Sequence, residues 1–426
     1  MDFIFIAGIN RSGGSLLARL FDGHKDFASY PMEVGFKFDN TSYGFSDKIT
    51  GTPTYIPDFD EKINPFEYFD VEKEIVSYSW GKETSAKFGI RKNYIEKAFY
   101  EKSVKTDFNY ENYLDKLGKY CNASKSNQEL YEGKHKAYFE SWDDGAYFND
   151  PKFIVTHDSN GLFLSDFKKY FNEFKNSFIL VPIRDCIGYV AAEKTRIARK
   201  AIGSRRFSKP LPPNWMIKKF QNYSIDGLVR SWMVSITKIR ILQENFGLDK
   251  NLMVYRFENL VNDTEKHIKY ICEKNCIKFD NIFLKPTLMG KPWLGNSQQG
   301  INDGINKNPN NYVNQVLTNS EIQQIEMLSN NFDTILNKKK NLLIDLMDIK
   351  KDQFFDYNLQ KKYSKDNDQW AIYCALGFKG FRDSSVKAPY LYQTLYFFFS
   401  IFVRIYHFPR FLKQRFFPNK GKQNYT

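Results

Sequence analysis

FIAGINRSGGSLLARL, residues 5–20, decides how the rest of the chain is read. Residues 3–7 are a continuous apolar run, as a buried parallel strand requires. Leu16, Leu17 and Leu20 then open an amphipathic helix. Between them GINRSGGS, residues 8–15, has the glycine spacing of a phosphate-binding loop and its closing hydroxyl, Ser15. Gly14 stands where nucleoside triphosphate enzymes place a lysine. Successive backbone N–H groups and a helix N-terminus form an anion cradle whatever the side chains are. With no lysine to bridge β- and γ-phosphates, and with Arg11 as the loop's cation, the stretch suits a 5′-phosphate carrying one further anionic group better than a triphosphate.

Strand patterns recur downstream at KFIVT (residues 152–156), SFILV (177–181) and LMVYRF (252–257). Helical patterns over about 164–174, after Arg184 and over 224–246 separate them. Strands alternating with helices predict an α/β fold, a three-layer parallel sheet flanked by helices, with ligands at the carboxyl ends of the strands. Residues 39–150 turn polar and aromatic, with helical fragments such as NYLDKLGKY, and read as a helical insert suited to binding an acceptor. The catalytic domain is expected over 1–345 with that insert, followed by a C-terminal helical extension over 346–426. In the extension, residues 390–403 are apolar and aromatic, and Arg404, Arg410, Lys413 and Arg415 follow. The apolar run is shorter than the roughly 20 residues a spanning helix needs. It suits a helix lying on an anionic membrane surface or one packed on its own domain or on a partner chain.

The chain has 426 residues and 42% hydrophobic content, enough for one large core. Its formal charge of +13 favours anionic ligands or surfaces. The charge is dispersed and no zinc finger, basic zipper or RNA-binding signature is present, which points away from nucleic acid. The five cysteines are scattered, so buried reduced thiols are expected. Cys272 and Cys276 lack a second ligand pair and do not form a metal site. The amino terminus enters a strand without a basic leader, so a cytoplasmic location is expected.

GINRSGGSLLARLFDGH resembles the 5′-phosphosulfate loop of the sulfotransferases that use 3′-phosphoadenosine 5′-phosphosulfate (PAPS). FILVPIRDCIGYVAAEKTR resembles their 3′-phosphate motif, with Arg184 matching the family's arginine; a guanidinium suits bidentate grip on a phosphate. Cys186 replaces the motif's proline and Ala192 its serine, while Lys194 and Thr195 follow in the same helix. MVYRFENLVND is similar to the family's late strand and turn, and PTLMGKPWLGNSQQG to a loop that closes over the nucleotide in some members. The resemblance covers residues 3 to about 304. It implies that Asn10, Arg11, Ser12, Gly13, Gly14, Ser15, Leu16 and Arg184 hold the donor, with Lys291, Asn296 and Ser297 filling the gap left by Ala192.

Sulfuryl transfer to a hydroxyl requires stabilisation of charge on the departing phosphate, removal of the acceptor proton and exclusion of water. Arg11 and the loop amides fit the first requirement, and no metal is required. For the second, His157 resembles the base of the family's cytosolic members, with Val155 in place of their lysine; of the five histidines, it alone follows a core strand. Glu33 is its rival, as carbohydrate sulfotransferases carry a glutamate soon after the first helix, and Asp158 is a third candidate. The expected acceptor is a hydroxyl on a carbohydrate, glycolipid or small alcohol. Two other readings stay open: a P-loop small-molecule kinase, and a non-catalytic, membrane-associated nucleotide-binding protein.

Overall fold

The computed structural model describes residues 1–33, 37–38, 54–56, 58–59, 109–141, 150–158, 161–164, 166–201, 225–247, 251–288, 290–293, 305–338, 341–350 and 354. Its centre is a five-stranded parallel sheet of β1 (Asp2–Ala7), β2 (Phe27–Glu33), β5 (Phe153–Asp158), β6 (Phe178–Ile183) and β7 (Leu252–Arg256), ordered β2-β5-β1-β6-β7. Two short antiparallel pairs flank it: β3 (Lys37–Phe38) with β4 (Thr54–Tyr55), and β8 (Thr287–Leu288) with β9 (Lys291–Pro292). From β1 the chain moves outward to β2 on one side, and after β5 it crosses to β6 on the other. The crevice above the carboxyl end of β1 is therefore the topological switch point, where open parallel sheets bind ligands.

Alternation along each strand explains why both faces are covered. Phe3, Phe5 and Ala7 of β1, with Ile179, Val181 and Ile183 of β6, belong to one apolar cluster, while Ile4, Ile6, Phe178 and Leu180 belong to the other. The second cluster is closed by α1 (Gly14–Phe21), α7 (Phe257–Asn262) and α8 (Thr264–Lys274). On the opposite face lie α2 (Tyr110–Asn122), α3 (Asn127–Phe139), α4 (Phe167–Glu173), α5 (Cys186–Ala201) and α6 (Ile225–Phe246). Near the end of the described chain come α9 (Val313–Val316), α10 (Asn319–Leu328) and α11 (Phe332–Lys338). Ile6, Leu17 and Leu180 are wholly buried, each contributing about 1.5–3 kcal/mol through removal from water.

The expected three-layer parallel architecture is present, with three refinements. Residues 27–33 form a strand that the sequence pattern did not reveal. Pro31 lies within it and its pairing with β5 is irregular between Ser29 and Glu33, both of which an edge strand tolerates. Within 39–150, α2 and α3 put Tyr113, Leu117, Leu130 and Tyr138 into the same core as Phe3 and Phe5. Past residue 345, Leu346, Ile349 and Phe354 join that core, and Arg240 Nη1 donates to the Ile349 carbonyl at 2.6 Å. Cys121, Cys186 and Cys272 are buried free thiols, as expected, whereas Cys276 is exposed just beyond α8. Cys374 and the aromatic and basic tail over 390–415 lie outside the described residues. Among the described residues no helix is long and apolar enough to cross a membrane.

Candidate active site

The loop joining β1 to α1 is bent tightly by its own backbone. Ser12 N–H donates to the Ile9 carbonyl at 3.1 Å, Arg11 has φ 68°, and Gly13, the N-cap of α1, has φ 90°. A Cβ at Gly13 would overlap the Phe257 ring, so glycine is required there twice over: by the dihedral and by the neighbour. No side chain caps α1, which leaves its first-turn N–H groups turned to the switch point without a side-chain acceptor. Gly14 differs, since a Cβ there would meet nothing nearer than Ile6 at 3.6 Å and His157 at 4.0 Å. A Cβ is thus accommodated there at ordinary van der Waals contact, so the neighbours do not demand glycine at this position.

Around this cradle, Arg11 is 25% exposed by side chain and donates through Nε to Glu193 Oε1 of α5 at 3.0 Å. Asn10 is exposed, Leu16 is buried beneath the helix, and Ser12 is fully buried with Oγ lacking a partner. Ser15, half-buried, has Oγ 3.3 Å from Nε2 of His157 at the end of β5. His157 is 4% exposed, and burial, followed by the nearby charge of Arg19, lowers its pKa to about 3. Glu33 stands opposite His157 in the pairing of β2 with β5, and Asp158 opposite Ala7 in the pairing of β5 with β1. Glu33, His157 and the loop are thus brought to one end of the sheet.

Arg184 also arrives here, just past the end of β6, but the residue is 7% exposed and its guanidinium is engaged by protein. Nη1 donates to the Arg11 carbonyl at 3.3 Å; Nη2 donates to the Pro309 carbonyl at 2.7 Å and to Asn310 Oδ1 at 2.8 Å, with Tyr312 Oη at 3.4 Å. The rings of Phe257 and Tyr312 flank it at 5.5 and 5.9 Å, and Nε is buried without a partner. The segment 309–312 therefore sits on the arginine, while the arginine itself is tied to the phosphate loop through Arg11. Asp185 turns back on its own helix, accepting from Gly188 N at 2.5 Å, while Asp333 of α11 accepts from Cys186 N at 2.8 Å and Ile187 N at 3.2 Å. The N-terminus of α5 is thereby capped from within, unlike that of α1.

Other sequence candidates are placed elsewhere. Ala192 is buried; Lys194, wholly buried, is paired with Glu321 at 2.9 Å, and Thr195 Oγ1 donates to the Ala191 carbonyl at 2.9 Å, so neither stands in for the missing serine. Lys291 has its backbone in β9, a hairpin attached to Asp22 at the C-terminal end of α1, away from the loop at the N-terminal end. Asn296 and Ser297 lie outside the described residues. The sequence reading did not assign Glu193, Pro309, Asn310 or Tyr312 to the site. Glu193 was the one with a signal, since it lies two turns along the helix that Arg184 introduces.

No family model and no curated protein sequence matches the chain. Solved structures similar to it include sulfotransferase domains. The one from the curacin biosynthetic pathway is 14% identical, with 76% of this chain and 96% of that one covered at a TM-score of 0.39. The one from the Synechococcus PCC 7002 olefin synthase is 14% identical, covering 77% and 93% at 0.38. Sulfotransferase STF1 from Mycobacterium tuberculosis H37Rv is 10% identical, covering 66% and 69% at 0.29.

Proposed function

We propose that the chain is a sulfotransferase moving the sulfuryl group of PAPS to a hydroxyl acceptor, of which a carbohydrate or glycolipid is the class that a basic, aromatic-rich chain suits best. The observation carrying this reading is the uncapped, glycine-bounded N-terminus of α1 at the switch point, with Arg11 and Ser15 at its edge and glycine, not lysine, at position 14. Such a cradle fits the 5′-phosphate side of the donor: the N–H groups of Gly14, Ser15 and Leu16 would hold it, with Arg11 as the cation. On the 3′ side would stand Arg184, whose Nη1 makes a single hydrogen bond, to the Arg11 carbonyl, and whose Nε is buried without a partner beside the segment 309–312. PAPS supplies the activated sulfuryl group when bound. Arg11 and the loop amides steady negative charge, and the acceptor proton would be taken up at the carboxyl end of the sheet, where β2 and β5 pair Glu33 with His157.

A P-loop kinase is the second reading, favoured by the loop spacing. Against it, Asp185, the carboxylate after the strand beside β1, is held by Gly188 N and Asn310 Nδ2 within its own neighbourhood. Calorimetric titration of the full chain with 3′,5′-adenosine bisphosphate, beside ATP with magnesium, separates the two. The bisphosphate is expected to bind more tightly, and Arg11→Ala to weaken it about tenfold through loss of a charge-assisted contact. A preference for magnesium ATP, or binding of neither nucleotide, would overturn the proposal.

A further inference from the structure

Ser15 lies in the first turn of α1 and His157 is the penultimate residue of β5, so their contact joins the phosphate loop to the neighbouring strand. The imidazole lies beneath that turn, with Cδ2 4.0 Å from where a Cβ of Gly14 would stand. Its Nε2 faces Ser15 Oγ at 3.3 Å, and its Nδ1 is buried with no polar partner. A general base must come within hydrogen-bond reach of the proton it removes. Here the sole engaged nitrogen faces a protein hydroxyl, and the other is closed in by the core. Burial and Arg19 keep the ring neutral across the physiological range, so it carries one proton.

We propose that His157 is a positioning residue: its Nε2–H donates to Ser15 Oγ and turns the Ser15 O–H toward the anion held at the N-terminus of α1. This rests on the sulfotransferase reading and deepens it, because it takes His157 out of the role of base. Proton removal then falls to another group, and Glu33, opposite His157 in the strand register, and Asp158, next along β5, are the carboxyl candidates at that end of the sheet.

The test is a double-mutant cycle in the full chain, read by calorimetric titration with 3′,5′-adenosine bisphosphate. Ser15→Ala and His157→Ala are each expected to weaken binding about tenfold, and the double variant no more than either single, because both remove one coupled donor. His157→Gln, whose amide N–H can still donate to Ser15, is expected to recover part of the loss; a merely structural ring would give no such recovery. It also keeps the cycle measurable if His157→Ala melts below the working temperature. Additive effects of the two substitutions, or unchanged binding in His157→Ala, would overturn the inference while leaving the sulfotransferase reading in place. If the wild-type chain does not bind the bisphosphate, both fall together.

Discussion

At Gly13, one residue carries the geometry of the whole loop. Its φ of 90° and the Phe257 ring against its Cα leave no place for a side chain. Gly13→Ala is expected to lower stability by about 2–4 kcal/mol, combining the strain of a left-handed alanine with displacement of a packed ring. Urea denaturation would measure it; an unchanged midpoint would mean that the loop relaxes at no cost. This residue was legible in the sequence because glycine spacing encodes backbone shape directly. Arg11 was legible as the loop's cation but not as the partner of Glu193, since that ion pair spans 182 positions and leaves no local pattern. The surroundings of Arg184 were hidden for the same reason: its acceptors lie at Arg11 and at 309–312, far in sequence from the motif that singled the arginine out.

Between elements, what the sequence conveyed was the central strands, and the reason is their burial. Strands covered on both faces are continuous apolar runs, whereas β2, at the edge with Pro31 inside it, breaks that pattern. The late hairpin β8–β9 holds the backbone of Lys291, a residue expected to fill the 3′-phosphate gap left by Ala192. Asp22 Oδ2 accepts from Thr287 Oγ1 at 2.7 Å and from Gly290 N at 2.8 Å, which anchors the hairpin where α1 ends. Lys291→Ala is accordingly expected to leave bisphosphate affinity within about twofold of wild type, well under the tenfold that one charge-assisted contact is worth. Asp22→Ala is expected to destabilise the fold by about 2 kcal/mol, as buried donors lose their acceptor. Calorimetry and denaturation on the pair check both, and a large affinity loss in Lys291→Ala would return the hairpin to the donor site.

Across the whole molecule, the joint between the sheet and the segment 305–338 combines apolar contacts of Val316, Phe332 and Leu336 with a buried polar cluster. Asp185, Glu258 and Asp333 gather near Arg184 and Arg256, with Asp185 N donating to Glu258 Oε1 at 3.2 Å and Arg256 Nη1 to Asn337 Oδ1. Burial first, and then the charge of Asp185, push the carboxyls of Glu258 and Asp333 up toward the neutral range. In the unfolded chain they titrate in the ordinary range near 4, so between there and neutrality the native state holds more protons than the unfolded one. Stability from this source is present in mild acid and is lost as pH rises through the raised values. His157 and His135 act from the other side. Both are lowered to about 3, so the native state holds fewer protons than the unfolded one, and stability falls as pH drops below about 6.5. Asp333→Asn cannot titrate and keeps one acceptor oxygen for the N-terminus of α5. Its stability deficit against wild type is expected to be largest near pH 5 and to narrow by about 1–2 kcal/mol toward pH 8, one pKa unit being worth about 1.4 kcal/mol. Thermal melts of the two proteins across that range measure the gap. A gap constant with pH would show that Asp333 is ionised throughout and that the joint holds as an ordinary ion cluster.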